Sequence, residues 1–147
     1  MARRTFFSFD YKEVWKVNQI RNLIRVLSID TAGFQDASLW ERVKKPSDLA
    51  IKRAIDNALE RTTVTVVCVT ERTARRKFIQ YEIQKSLARG NGLVAVQIHE
   101  FRDQHGQAGR PGKIPPQIHA HGFKDYKYTK PADLSRWIEE AANLAEK

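Results

Sequence analysis

The sequence predicts an α/β fold: a single doubly wound, mainly parallel sheet flanked by helices. Three observations carry this expectation. Strand-like and helix-like patterns alternate along the 147 residues at lengths suited to βαβ units. The run Thr63-Val64-Thr65-Val66-Val67-Cys68-Val69 is nearly continuous in β-branched residues, as a strand covered on both faces must be. Leu93-Val94-Ala95-Val96-Gln97-Ile98 is a second largely apolar run, separated from the first by an amphipathic stretch. The length suits one domain over residues 1–147, and no internal repeat is present.

The elements follow in order. Thr5-Phe6-Phe7-Ser8-Phe9 is short, aromatic and strand-forming. A helix is expected from about Tyr11 to Ser28, with Val14, Val17, Arg21 and Ile24 on one stripe and Trp15, Leu23 and Leu27 on its neighbour. Gly33-Phe34-Gln35-Asp36 takes the place of a second strand, mainly from its position in the alternation. Ser47 is a candidate N-cap for a helix whose apolar face is Leu49, Ile51, Ala54, Ile55, Ala58 and Leu59. After the β-branched strand, Thr73 is a candidate cap for a helix over about Ala74 to Arg89, with Phe78, Ile79, Ile83 and Leu87 facing the core. Gly90 stands where a left-handed helix end is expected. Arg102 to Lys113 is polar and Gly-rich and reads as a loop or excursion, expected to be mobile. Tyr126-Lys127-Tyr128 suits a last short strand, and Ala132 to Ala145 a terminal helix packed through Leu134, Trp137, Ile138, Ala141 and Leu144.

Composition narrows the function. With 41% hydrophobic and 29% charged residues the chain is globular rather than disordered, and no apolar run approaches the ~20 residues that span a bilayer. The N-terminus has positive charge but no apolar leader core, so no signal peptide is expected. Cys68 is the single cysteine, which excludes an internal disulfide and fits a reducing cytoplasm. Its apolar strand points to a buried structural thiol rather than a nucleophile. The net charge of +9 favours an anionic ligand without choosing between nucleic acid and dinucleotide. No basic stripe interleaved with aromatics, helix-turn-helix or RNP signature is present, so nucleic acid is the weaker choice. Among the four histidines, His119-Ala120-His121 lacks further ligands at metal-site spacing, and no metal is expected.

The chemistry centres on Arg75-Arg76-Lys77-Phe78-Ile79-Gln80-Tyr81-Glu82. On a helix, Phe78 and Glu82 would share a face and line one opening at the carboxyl edge of the sheet, where doubly wound folds bind ligands. The plain alternative is a solvated helix glutamate paired with Lys85. A G-x-G-x-x-G after the first strand and a P-loop are both missing, which disfavours a Rossmann cradle and a P-loop site. The acids of a phospho-receiver are missing too: only Asp10 ends strand one, and Thr70 follows the β-branched strand.

Blocks of residues in order resemble one family. They are Arg4-Thr5-Phe6-Phe7-Ser8-Phe9-Asp10-Tyr11, Phe34-Gln35-Asp36-Ala37-Ser38-Leu39-Trp40-Glu41, Ser47-Asp48-Leu49-Ala50-Ile51-Lys52-Arg53 and Arg75 to Ile83 with Lys85-Ser86. The chain resembles the TIR domain, and within it the TIR-like proteins of the bacterial Thoeris anti-phage system, from about residue 3 to residue 103. The resemblance implies cleavage of the nicotinamide–ribose bond of NAD+ with Glu82 as the catalytic carboxylate. NAD+ is then the substrate, with no cofactor. It also implies release of a cyclised or otherwise modified ADP-ribose signal that activates a separate effector protein. Phe78 stands where the family often has Trp, and Asp10 and Tyr11 stand where animal NAD-cleaving TIR proteins are often basic.

Within that reading, Phe9 and Phe78 are expected as apolar walls, and Ser8 and Asp36 as hydrogen-bonding groups for ribose or pyrophosphate. Ser8 and Asp36 suit backbone capping at strand ends equally well. Phe7, Phe9 and Trp40 also suit plain core packing. The loop from Asp36 to Pro46 carries Trp40, Arg42, Lys44 and Lys45 and is expected to support self-association. The competing functions are a non-catalytic interaction module and a basic nucleic-acid-binding domain.

Overall fold

The computed structural model describes residues 4–24, 30–31, 47–73, 76 and 78–145. Five parallel strands form one sheet in the order β2-β1-β3-β4-β5, which places the topological switch point between β1 and β3. The strands are β1 (Arg4–Ser8), β2 (Asp30–Thr31), β3 (Val64–Val69), β4 (Gly92–Gln97) and β5 (Lys124–Lys127). The expected parallel α/β sheet is therefore observed. The strand beside β1 is Asp30–Thr31, while the expected strand at 33–36 lies outside the described residues.

Register and pleat set the two faces. Phe7 pairs with Val66 and Ser8 with Val67, and Val67 pairs in turn with Ala95. Side chains alternate along each strand. Phe7, Val64, Val66, Cys68, Val94 and Val96 share one core with α1 (Val14–Ile24) and α5 (Pro131–Leu144). Val67, Val69, Leu93 and Ala95 face the other way, against Ile79 and Ile83 of α3 (Ile79–Ala88) and Ile118 of α4 (Pro116–Ala120). Phe6 packs on that second face against Ile51, Ile55 and Leu59 of α2 (Asp48–Leu59).

The helix ends show the expected devices, with exceptions. The Ser47 side chain caps α2 by accepting from the Ala50 N–H at 3.2 Å. Gly90 ends α3 with φ 77°, where Asn91 N–H reaches back to the Ser86 carbonyl at 3.0 Å. A 3-10 turn over Tyr11–Glu13 precedes α1, which begins at Val14 rather than at Tyr11, while the expected end at Ser28 lies outside the described residues. Trp15 is 52% exposed and Ile20 takes the core place expected for it. Leu49 and Leu144 are likewise exposed, and Ala142 packs instead of Leu144. The short helix α4 was not expected, because five residues are too few to show a helical period.

Gly92 has a packing reason: a Cβ there would lie 2.2 Å from the Ala141 carbonyl oxygen, so α5 rests directly on the β4 backbone. Among the described residues no helix is long and apolar enough to cross a membrane.

The polar stretch from Arg102 to Lys113, expected to be a mobile excursion, is a strap tied across the carboxyl ends of β3 and β4. Glu71 N–H donates to the Arg110 carbonyl, and Arg110 N–H donates to Glu71 Oε2 at 2.9 Å. Gln97 exchanges two hydrogen bonds with the Gly112 backbone. A Cβ at Gly112 would fall 1.9 Å from the Thr70 carbonyl oxygen, so only glycine fits where the strap crosses β3.

Candidate active site at the end of the first strand

The helix after β3 begins later than the sequence suggests. Thr73 Oγ1 accepts from Thr70 N–H at 2.9 Å and donates to the Cys68 carbonyl, so it closes the turn after β3 instead of capping α3. Arg76 sits in the intervening turn, and Phe78 precedes α3 with φ −97° and ψ 0°. Glu82 therefore lies in the first turn of α3 rather than mid-helix, at the positive end of the helix dipole.

Alternation along β1 points Ser8 and Phe6 to the face that carries α2 and α3. Ser8 Oγ donates to Glu82 Oε1 at 2.5 Å, and Arg76 Nη1 contacts the same oxygen at 2.5 Å. All three side chains are buried, with Glu82 1% exposed. The backbone of Glu82 is latched as well: its N–H donates to the Phe78 carbonyl at 2.9 Å and its carbonyl accepts from Ser86 Oγ at 2.7 Å. Ser86 Oγ in turn meets Thr65 Oγ1 of β3 at 2.7 Å. Burial raises the Glu82 carboxyl above its ordinary range, against the pull of the Arg76 charge and the hydrogen bonds from Arg76 and Ser8.

This arrangement replaces the solvated glutamate paired with Lys85. Lys85 and Lys52 instead lie over the Tyr81 ring, whose hydroxyl donates to Asp56. It also differs from a carboxylate open to a cleft beside an aromatic wall. Phe78 packs with Phe6, Ile51, Ile55 and Leu59 on one face of the sheet. Phe9 packs with Val17 and Ile20 on the other. Both rings are buried, and they stand on opposite sides of the strand that carries Ser8. Asp36 lies outside the described residues, as does the loop 36–46. The structure thus brings Ser8 and Glu82 together, and adds Arg76. The signal for Arg76 lay in the Arg75-Arg76-Lys77 cluster: a buried glutamate needs a nearby cation.

A cavity of about 340 Å³ opens elsewhere, between the carboxyl ends of β4 and β5, lined by Phe101, Tyr128, Lys127 and Lys130 among others. Its acid, Glu100, is exposed and paired with Lys127 at 2.7 Å, which holds its carboxyl below the usual range. The buried carboxylate with two converging donors has the chemistry, and Glu82 is the better candidate centre.

On the opposite face of β1, Glu13 meets Lys16 at 3.5 Å and Arg72 at 3.1 Å. Cys68 is buried, and its thiol is pushed far up by burial, so it is not a nucleophile. His119 Nε2 lies 2.6 Å from Asp125 at the surface.

The profile of the family described as Thoeris protein ThsB, TIR-like domain, matches residues 6–103. The chain belongs to that family. It is 42% identical over 155 residues to a protein of Bacillus cereus (strain MSX-D12) that bears the provisional name cyclic ADP-D-ribose synthase ThsB1, an alignment covering 99% of this chain and 78% of that protein. The matched span runs from within β1 through β4 and includes Ser8, Arg76 and Glu82.

Proposed function

We propose that this TIR-like protein acts on NAD+, breaking the nicotinamide–ribose bond and joining the ADP-ribose to itself as a cyclic signal for a separate effector in anti-phage defence. Nicotinamide leaves as a neutral base with the bonding electron pair, so no acid is needed on the leaving side. The demand is the positive charge that grows on the ribose. The Glu82 carboxylate is the group that offsets it and orients the sugar. A second nucleophilic atom of the same molecule then closes on the ribose carbon while water is kept out.

The single supporting observation is a carboxylate buried at the carboxyl edge of β1 and held by Ser8 and Arg76, in a family whose Bacillus cereus relative carries a cyclase name. Because Glu82 is 1% exposed, substrate binding includes displacement of its cover. Phe9 and Phe78 back the site from the two cores, and Asp36 and its loop complete it, in part through self-association.

The test is to incubate purified protein with NAD+, with and without lysate from infected cells, and to identify products by mass spectrometry. Nicotinamide with a cyclic ADP-ribose isomer is expected, and Glu82→Gln lowers turnover by at least about a hundredfold. Absence of NAD+ consumption under both conditions would establish an interaction module instead.

A further inference from the structure

We propose that Arg76 and Ser8 are positioning residues: together they clamp Oε1 of Glu82 and leave Oε2 as the oxygen that meets the ligand. This rests on Glu82 being the reacting carboxylate. It gives Ser8 a different task from the ribose contact expected of it.

The geometry is one-sided. Each carboxylate oxygen has two lone pairs. Ser8 Oγ and Arg76 Nη1 both converge on Oε1 at 2.5 Å and fill its capacity, while no hydrogen bond to Oε2 occurs among the described residues. The clamp uses three separate pieces of backbone: the end of β1, the turn at residue 76 and the first turn of α3. With the Glu82 peptide tied to Phe78 and, through Ser86, to Thr65, the carboxylate is fixed at both ends of its side chain. A side chain held this way needs little ordering when the ribose arrives, which is where a preorganised group gains its effect.

The clamp also governs ionisation. Only the anion can offset ribose charge, and burial opposes the anion. Among the described residues, Arg76 is the cation that favours the charged form, and Ser8 adds a donor. The other charged groups on α2 and α3 nearby, Lys52, Lys85 and Asp56, gather round Tyr81 instead.

The experiment is the pH profile of NAD+ turnover in wild type, Arg76→Met, Arg76→Lys and Ser8→Ala, with Glu82→Gln alongside. In Arg76→Met the acid limb of kcat moves up by about one pH unit or more, and kcat at neutral pH falls about tenfold, while KM changes less than about threefold. Ser8→Ala shifts the limb the same way by less, and Arg76→Lys restores it toward wild type. A wild-type limb and kcat in both Arg76→Met and Ser8→Ala would overturn the clamp, as would a change confined to KM. Should Arg76→Met fail to fold, Ser8→Ala decides by the same criteria. Full turnover in Glu82→Gln overturns the assignment of Glu82 itself, whereas an inactive Glu82→Gln with unmoved limbs elsewhere overturns only the clamp.

Discussion

Arg76 and Glu82 form an ion pair, Nη1 to Oε1 at 2.5 Å, with both side chains almost wholly removed from solvent. Such a pair is not a simple gain. The attraction works against a large desolvation penalty, and loss of one partner leaves the other as an uncompensated buried charge.

Arg76→Met alone is therefore expected to destabilise the fold by about 3–5 kcal/mol at neutral pH. Arg76→Met combined with Glu82→Gln should cost clearly less than the sum of the two single changes. Urea titrations of the three variants make the double-mutant cycle, and strict additivity would show that the pair is not coupled.

The raised Glu82 carboxyl sets a pH dependence of stability. In the folded protein Glu82 holds its proton to higher pH than in the unfolded chain, where the ordinary value of 4.5 applies. Folding is thus favoured most by this group below 4.5, and that contribution is lost as pH rises from 4.5 through the folded value. Glu82→Gln lacks the term. The melting temperature of Glu82→Gln minus that of wild type should therefore increase with pH across this window, and a flat or falling difference contradicts the assigned direction.

Cys68 should resist thiol reagents in the native protein and react once in denaturant, because its thiol is buried and its ionisation suppressed. Ellman's reagent with and without guanidinium checks this, and rapid native labelling would contradict the packing of β3.

Gly92→Ala should destabilise by about 1–3 kcal/mol or more through overpacking, since the new methyl group would meet the Ala141 carbonyl oxygen. Gly106→Ala is the control: its φ of 76° adds strain, but open space surrounds it. A thermal melt in which Gly92→Ala matches wild type would mean that α5 does not rest on β4 as described.

Much of the fold was legible in the sequence because burial on both faces leaves a strong mark. The β-branched run at Val64–Val69 and the cap at Ser47 are local signals and were read correctly. Glu82 was legible as a special acid, but not its setting. A helix drawn from residue 74 puts Arg76 on the same rod as Glu82, six residues away, where it faces elsewhere. With α3 starting at Ile79, Arg76 lies ahead of the helix and its side chain reaches Glu82, while Thr73 is engaged by Thr70 and Cys68 instead of capping. The roles given to Phe9 and Phe78 assumed a shared opening, whereas the strand pleat and the α2 core separate them. The loop over 102–113 was legible as a loop, but its tethering was not, for a similar reason. Polar, Gly-rich composition is the same in free and tethered loops, and the groups that tether this one, Glu71 and Gln97, lie 39 and 15 residues away.

That strap has an exposed tip around His105 and Gly106, while its two flanks are held separately, the Arg102 carbonyl by the Gln19 amide on one side and Arg110 and Gly112 by Glu71 and Gln97 on the other. Backbone scission at the tip would therefore leave two fragments that still grip one sheet. The same spot would accept an inserted epitope or fluorophore without loosening the strands beneath, which offers a handle on the protein.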